Sequence, residues 1–342
     1  MLESLLRPGL SRAADFWSPL AVRMHDRRIV LCFHSVKAPD DSTRGYIARR
    51  SRMGLESFDM LVRWLKSWAS IVSLQDLMDD TGTGWRVALT FDDGYLDNLR
   101  SALPLLESYK APMTWFVCTR FVLQPNVLPW WDLIDYAETH VRAHLTFSYA
   151  NESFDYDLKK PGERNRLRRE QRSHFYKTGV RERGRHQKIL ATAVRDATGR
   201  HLPVNGFARP DEVAQATDSP WITIGAHTHT HQNLGACSAD IVSRELVQGR
   251  TLLEEWTGQA IRWFAYPFGD PSAWTPQTTR LVEEHGFEGA FTLEPDHVGR
   301  APHPQAVPRI AVDPNWEISD VKARIFGTDL FRWARTAKAY AK

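Results

Sequence analysis

The sequence predicts an α/β fold on a largely parallel sheet, from three observations. Seven short runs are apolar on both faces, as strands covered on both sides of a sheet must be. Helical patterns separate several of these runs, the alternation that builds βα units. The polar, chemistry-bearing residues cluster directly after four of the runs. In α/β barrels those strand ends share one face, where active sites are built.

The first run is RIVLCF (28–33), and SFDMLVRWLKSW (57–68) follows with apolar residues at helical spacing and Ser57 as the candidate N-cap. RVALTF (86–91) is the second strand, the helical YLDNLRSALPLLESYK (95–110) comes after it, and PMTWFVC (112–118) is the third strand. The rhythm breaks from about 130 to 215. LPWWDLIDYAETH opens a stretch that turns strongly basic over 159–188, and helical spacing dominates it, so a helical insertion is expected. Its arginines read either as a solvated helical face or as a dock for an anionic partner, a diphosphate-linked sugar or an acidic lipid surface.

The alternation resumes with WITIGA (221–226), SADIVSRELVQGRTLLEEW (238–256), IRWFAY (261–266), PQTTRLVEEHG (276–286), EGAFTL (288–293) and VPRIAV (307–312), with Gly286 as a helix stop. The domain is expected over 28–315, with a helical extension at 1–27 and a helical tail at 316–342.

Hydrophobic residues at 42% and charged residues at 25% give an ordinary globular composition, and a net charge of +3 is too weak to argue for nucleic acid. Cys32, Cys118 and Cys237 are widely spaced, with no CxxC, so neither a thiolate zinc site nor a disulfide framework is indicated. Glu3, Arg7, Pro8, Arg12 and Asp15 interrupt any secretory apolar run, and no segment approaches the roughly 18 apolar residues of a membrane span. The expectation is a cytoplasmic protein. Its N-terminal segment reads as a helix docked on the domain, or as an interfacial helix giving peripheral contact with the inner membrane.

Four clusters carry chemistry. In LTFDDGYLDN (89–98), Asp92 and Asp93 end a strand and Gly94 permits a sharp turn. Adjacent carboxylates repel unless a cation takes one, leaving the other as a base; the bland alternative is a surface Asp-Asp-Gly turn. In GAHTHTHQNL (225–234), His227, His229 and His231 alternate. A turn would bring His227 and His231 together at i, i+4, whereas a continued strand would put all three on one face. Zinc accepts either three histidines or two with an aspartate. WFAYPFGD (263–270) ends a strand in a loop able to aim a backbone N–H at a substrate oxygen, and His34 closes the first strand.

TFDDG, the HTxxH of AHTHTH and YPFG together resemble the motifs of the polysaccharide deacetylases, carbohydrate esterase family 4 with the NodB-homology domain. The resemblance spans roughly residues 28–315 around the insertion. It implies a distorted (β/α)7 barrel, one divalent metal ion, zinc by expectation, and Asp93, His227 and His231 as its ligands. His229 falls on a variable position. Asp92 matches the catalytic base that takes a proton from the attacking water. A backbone N–H near Tyr266 and Pro267 would stabilise the oxyanion.

Two departures stand out. No late Leu-x-x-His motif supplies the acid, and His297 and His303 lie in a loop. FHSV resembles the first-strand element of the permuted branch of biofilm poly-N-acetylglucosamine deacetylases, which makes His34 the acid. The third motif lacks its usual arginine, with Phe264 and Ala265 leading into Tyr266, so Arg309 is the candidate to orient Asp92. Trp130, Trp131 and Asp132 are candidates for the sugar wall, or the tryptophans anchor the insertion. The expected substrate is an N-acetylated glycan or a carrier-linked sugar precursor of cell-envelope or exopolysaccharide synthesis. The alternatives are a metal hydrolase of amidohydrolase or phosphoesterase type, and a degenerate barrel that binds glycans without turnover.

Overall fold

In chain order the strands are β1 (Arg28–Phe33), β2 (Ser35–Lys37), β3 (Arg52–Gly54), β4 (Ser70–Ile71), β5 (Arg86–Phe91), β6 (Met113–Val117), β7 (His144–Tyr149), β8 (Glu152–Asp157), β9 (Ile222–Ala226), β10 (Trp263–Ala265), β11 (Gly289–Phe291) and β12 (Ile310–Ala311). The structure, a computed structural model, describes residues 27–39, 45–80, 82–299 and 301–327. The extension expected at 1–27 and the tail beyond 327 thus lie, but for residue 27, outside the described residues.

The main sheet runs β11-β10-β9-β6-β5-β1-β12, every pair parallel, with β4 added against the start of β5. β1, β5 and β6 are buried at every position, which is why their sequences lack polar alternation. The sheet also curls onto itself. Val307 bridges Phe291 of β11 in parallel, and three residues later Ile310 pairs with Leu31 of β1. One short segment therefore joins both ends of the sheet, giving the distorted seven-stranded barrel.

The helices are α1 (Leu55–Lys66), α2 (Leu74–Met78), α3 (Leu103–Ser108), α4 (Thr119–Leu123), α5 (Trp130–His140), α6 (Glu163–Lys177), α7 (Val180–Thr198), α8 (Pro210–Ala216), α9 (Ala239–Thr257), α10 (Pro276–Glu284) and α11 (Ile318–Phe326). α1 docks through Phe58, whose ring meets Phe33 and Phe91 edge-on at 5.3 and 5.7 Å. Truncating such a buried aromatic costs about 3–5 kcal/mol. Its N-cap is Gly54, not Ser57, which lies inside the first turn. The helix expected over 95–110 is split, with a π-helical stretch at Asn98–Ala102 before α3.

The insertion holds its own core, built on Leu133, Tyr156, Leu167, Phe175 and Leu190. It is not purely helical. β7 and β8 form an antiparallel hairpin, turning at Ala150 and Asn151, both with positive φ. The signal was present: HLTFSY alternates, and its burial alternates exposed-buried along the strand. The density of arginines on the flanking helices masked it.

Candidate active site

β1, β5, β9 and β10 are parallel, so the residues following them emerge at the same end of the barrel. After β5 the chain turns sharply: Asp93 has φ 76° and Gly94 φ 94°. A Cβ on Gly94 would stand 3.1 Å from Val117 of the next strand, so glycine is required on both counts. After β9, Thr228 (φ 63°) and His231 (φ 56°) curl the histidine segment into a turn. Gly249 of α9 lets that turn approach, since a Cβ there would lie 3.0 Å from the Thr228 carbonyl carbon.

The turn resolves the three histidines. One ligand atom each from Asp93, His227 and His231 lies within 4.8 Å of the others, and all three residues are buried. His227 Nε2 and His231 Nε2 stand 3.4 and 3.2 Å from Asp93 Oδ1. That oxygen is nevertheless buried without a well-formed hydrogen bond among the described residues. His227 Nδ1 lies 2.8 Å from the Ala265 carbonyl, which assigns it the proton and leaves Nε2 with a lone pair. His229 points away: its Nδ1 pairs with Thr119 Oγ1 at 2.9 Å, and burial lowers its pKa to about 4.

A buried carboxylate oxygen facing two imidazole nitrogens is a donor set for a divalent cation, two nitrogens and one oxygen with room for a further ligand. The residues present fit such an ion. In their protonated form the two imidazoles outweigh the burial that raises the Asp93 pKa and hold its carboxyl far below its ordinary value.

Asp92 is tied down differently. Arg309 Nη1 and Nη2 donate to its two oxygens at 2.7 and 2.8 Å, a bidentate pair, and Arg309 is fully buried. Arg309 is itself held by Thr90 Oγ1 and the Thr292 carbonyl. Burial pushes the Asp92 pKa up; Arg309, His227 and His34 together bring it below its ordinary value, so the carboxylate stays ionised in a dry setting. Arg262, just ahead of β10, is half-exposed and pairs with Glu288.

A cavity of about 330 Å³ opens over the cluster, lined among others by His34, Asp93, Trp131, His227, His231 and Phe268. Asp92, next to Asp93 in the chain, and Arg309 are buried. Trp131 donates Nε1–H to Tyr95 Oη at 2.9 Å and lies 4.8 Å, ring to ring, from His231. Trp130 also reaches the cavity, but stacks on Phe175 and so anchors the insertion as well. His297 belongs to the opposite end of the barrel, beside the Val298 bridge to the start of β1.

Two expectations need correction. The Tyr266 N–H is spent on the Phe291 carbonyl at 3.0 Å, and its hydroxyl donates to the Gln305 carbonyl, so Tyr266 offers no oxyanion donor. Pro267 has no N–H; Phe268, at φ 65°, and Asp270 are the residues of this loop that line the cavity. Asp132 is fully buried and accepts from the Ala48 N–H at 2.7 Å; burial raises its pKa well above the carboxylate range, and it takes no part in the cavity.

Sequence reasoning missed two charged residues that clamp the histidine turn. Arg183 of α7, 6% exposed, donates to the His231 carbonyl at 2.9 Å. Glu245 of α9 accepts the Thr230 N–H at 2.7 Å. Neither carries a motif signal, because each acts on a segment distant from it in sequence.

The polysaccharide deacetylase family model matches residues 79–290. No curated protein matches the chain. Among solved structures, a de-N-acetylase from Aggregatibacter actinomycetemcomitans is similar at 17% identity, covering 88% of this chain and 100% of that one with a TM-score of 0.55. A deacetylase from Streptococcus pyogenes, solved with acetate, is similar at 14% identity over 87% and 97%, TM-score 0.53. A polysaccharide deacetylase from Bacillus cereus is similar at 15% over 88% and 69%, TM-score 0.53. These structures share the barrel fold. With the family model spanning more than half of the sequence, the chain belongs to the polysaccharide deacetylase family.

Proposed function

We propose that this carbohydrate N-deacetylase works with one divalent metal ion, zinc by expectation, held by Asp93, His227 and His231. The observation that carries the reading is the placement of that donor set beside an Asp92 clamped by a buried arginine. When bound, the ion would polarise the acyl carbonyl and lower the pKa of a water. Asp92 accepts the proton from the attacking water, and Arg309 keeps its carboxylate ionised and aimed. As the new C–O bond forms, the carbonyl π pair moves onto oxygen, and its return breaks the amide C–N bond. His34, on the cavity wall, gives a proton to the departing amine nitrogen, and acetate leaves. The Phe268 segment, in place of Tyr266, offers a backbone donor to the oxyanion, and Trp131 provides an aromatic face for the sugar ring.

The substrate is read as an N-acetylated sugar on a phosphate-bearing carrier, a precursor in cell-envelope or exopolysaccharide synthesis. A lipid carrier would bring the enzyme to a membrane surface; no helix among the described residues is long and apolar enough to cross a membrane. The test is metal content together with acetate release from N-acetylated sugars. One metal per chain is expected, with acetate release falling about 10²–10⁴-fold in Asp92→Asn. Full activity in Asp92→Asn would remove its role as base, and unchanged metal content in His231→Ala would remove the ligand assignment.

A further inference from the structure

The active-site cavity does not end at the metal cluster. Towards the insertion it shares Arg50, Glu138 and Arg168 with a second recess of about 420 Å³. Arg49, Arg50, Lys159, Lys160, Arg164 and Arg168 line that recess, and Glu138 is its one carboxylate. The cations come from two places, the 49–50 turn ahead of β3 and the stretch from the end of β8 into α6, and Glu138 stands on α5.

Local pairing does not cancel this charge. Glu138 accepts Arg168 at 2.6 Å and lies 3.9 Å from Arg50. Arg49 reaches Asp135 at 3.5 Å, and Lys160 reaches Asp157 at 3.4 Å. Three carboxylates therefore face six cations. Among the described residues, Lys159 and Arg164 have no carboxylate partner, and Arg164 Nη1 is buried without a hydrogen bond. Like charges crowded around a hollow repel one another, and an anion seated between them relieves that cost. Guanidinium groups in particular match phosphate oxygens in pairs.

We infer that this recess binds the phosphate or diphosphate of a phosphate-linked N-acetyl sugar, whose acetamide then reaches the Asp93–His227–His231 cluster through the shared wall. The inference rests on the deacetylase reading for what occupies the cavity, and assigns the substrate class by charge. Arg50 and Arg168 stand at the junction, where the sugar passes into its phosphate. Trp131 and Tyr176 flank the sugar side.

The experiment measures binding apart from turnover. Calorimetry on the full chain compares a free N-acetylhexosamine with its nucleoside-diphosphate and polyprenyl-diphosphate conjugates, and acetate release is followed in parallel. The conjugates should bind on the order of 30-fold more tightly than the free sugar, an advantage that shrinks as salt is raised. In the double variant Lys159→Gln, Arg164→Gln the advantage should fall on the order of tenfold. Both residues are partly or fully exposed, so the fold tolerates the change. The conjugate with the larger advantage names the carrier. Equal binding of free and phosphorylated sugars would overturn the inference, as would an advantage that survives the double variant. A phosphate advantage without acetate release from any sugar would leave the recess standing and defeat the deacetylase reading instead.

Discussion

The barrel mouth and the insertion treat charge in opposite ways. At the mouth Asp92, Asp93 and Glu245 are buried: Asp92 is matched to Arg309, Glu245 to the Thr230 N–H, and Asp93 faces two imidazoles. The insertion keeps most of its charge at the surface, with Arg166–Glu163, Arg185–Glu182 and Lys160–Asp157 pairs of short reach. Buried pairs cannot be broken singly without stranding an ion, whereas exposed ones contribute about 0–1 kcal/mol each. The mouth is therefore rigid chemistry, and the insertion is a wall whose charge is free to meet a ligand. Asp132, Asp135, Glu138 and Arg183 are the exceptions, charged insertion residues buried like the barrel's own.

The largest effect that would sharpen this contrast is expected from Arg309→Met. It strands Asp92, and loss of one partner of a buried pair costs about 3–5 kcal/mol of stability. Without the guanidinium, burial dominates and the Asp92 pKa rises. The acid limb of the pH–rate profile then moves to higher pH. An unmoved limb with reduced activity would mean that Arg309 only holds the barrel together.

A smaller effect is expected from Arg183→Met. Partners that orient a metal ligand typically influence affinity about 10–100-fold, so chelator competition should show weaker metal retention in that range. Arg183→Lys should rescue part of it, because it can still donate to the His231 carbonyl. Unchanged retention in Arg183→Met would restore a clean division between the two regions.

The smallest effect concerns acid. His186 lies in the insertion core 4.1 Å, ring to ring, from His174, and its Nε2 contacts Gln171 Oε1 at 2.6 Å. Burial, and then His174, lower its pKa to about 4. The unfolded chain therefore binds this proton more readily than the native one between about 6.5 and about 4. The stabilisation is complete above pH 6.5 and is lost as pH falls to about 4. Hydrogen exchange over this window should show the insertion opening before the barrel, and His186→Phe should flatten its pH slope. Simultaneous opening of both regions would show that the insertion is no separate unit of stability.

How much of this was legible depended on the range of the interaction. The strands, the Asp92–Asp93 turn and the paired His227 and His231 are local: a buried strand must be apolar, and a sharp turn after it demands glycine or strained backbone. Trp131 could be read only as an alternative between wall and anchor, since its role depends on what faces it. The β7–β8 hairpin was written in local alternation and was obscured by the charge of the helices beside it.

By itself, then, the sequence determined the strand–helix alternation, the placement of reactive residues after strands, and the family to which the chain belongs. The first two follow from local burial and backbone geometry, and the third from the motifs carried after the strands. Only the tertiary structure decided the rest. Arg309 meets Asp92 across 217 positions because the segment ending in β12 closes the barrel beside β1. Tyr266 loses its N–H to the neighbouring strand, and Arg183 reaches the histidine turn from another region. A donor can be assigned to an acceptor only when the fold has determined which of its competitors lies nearer.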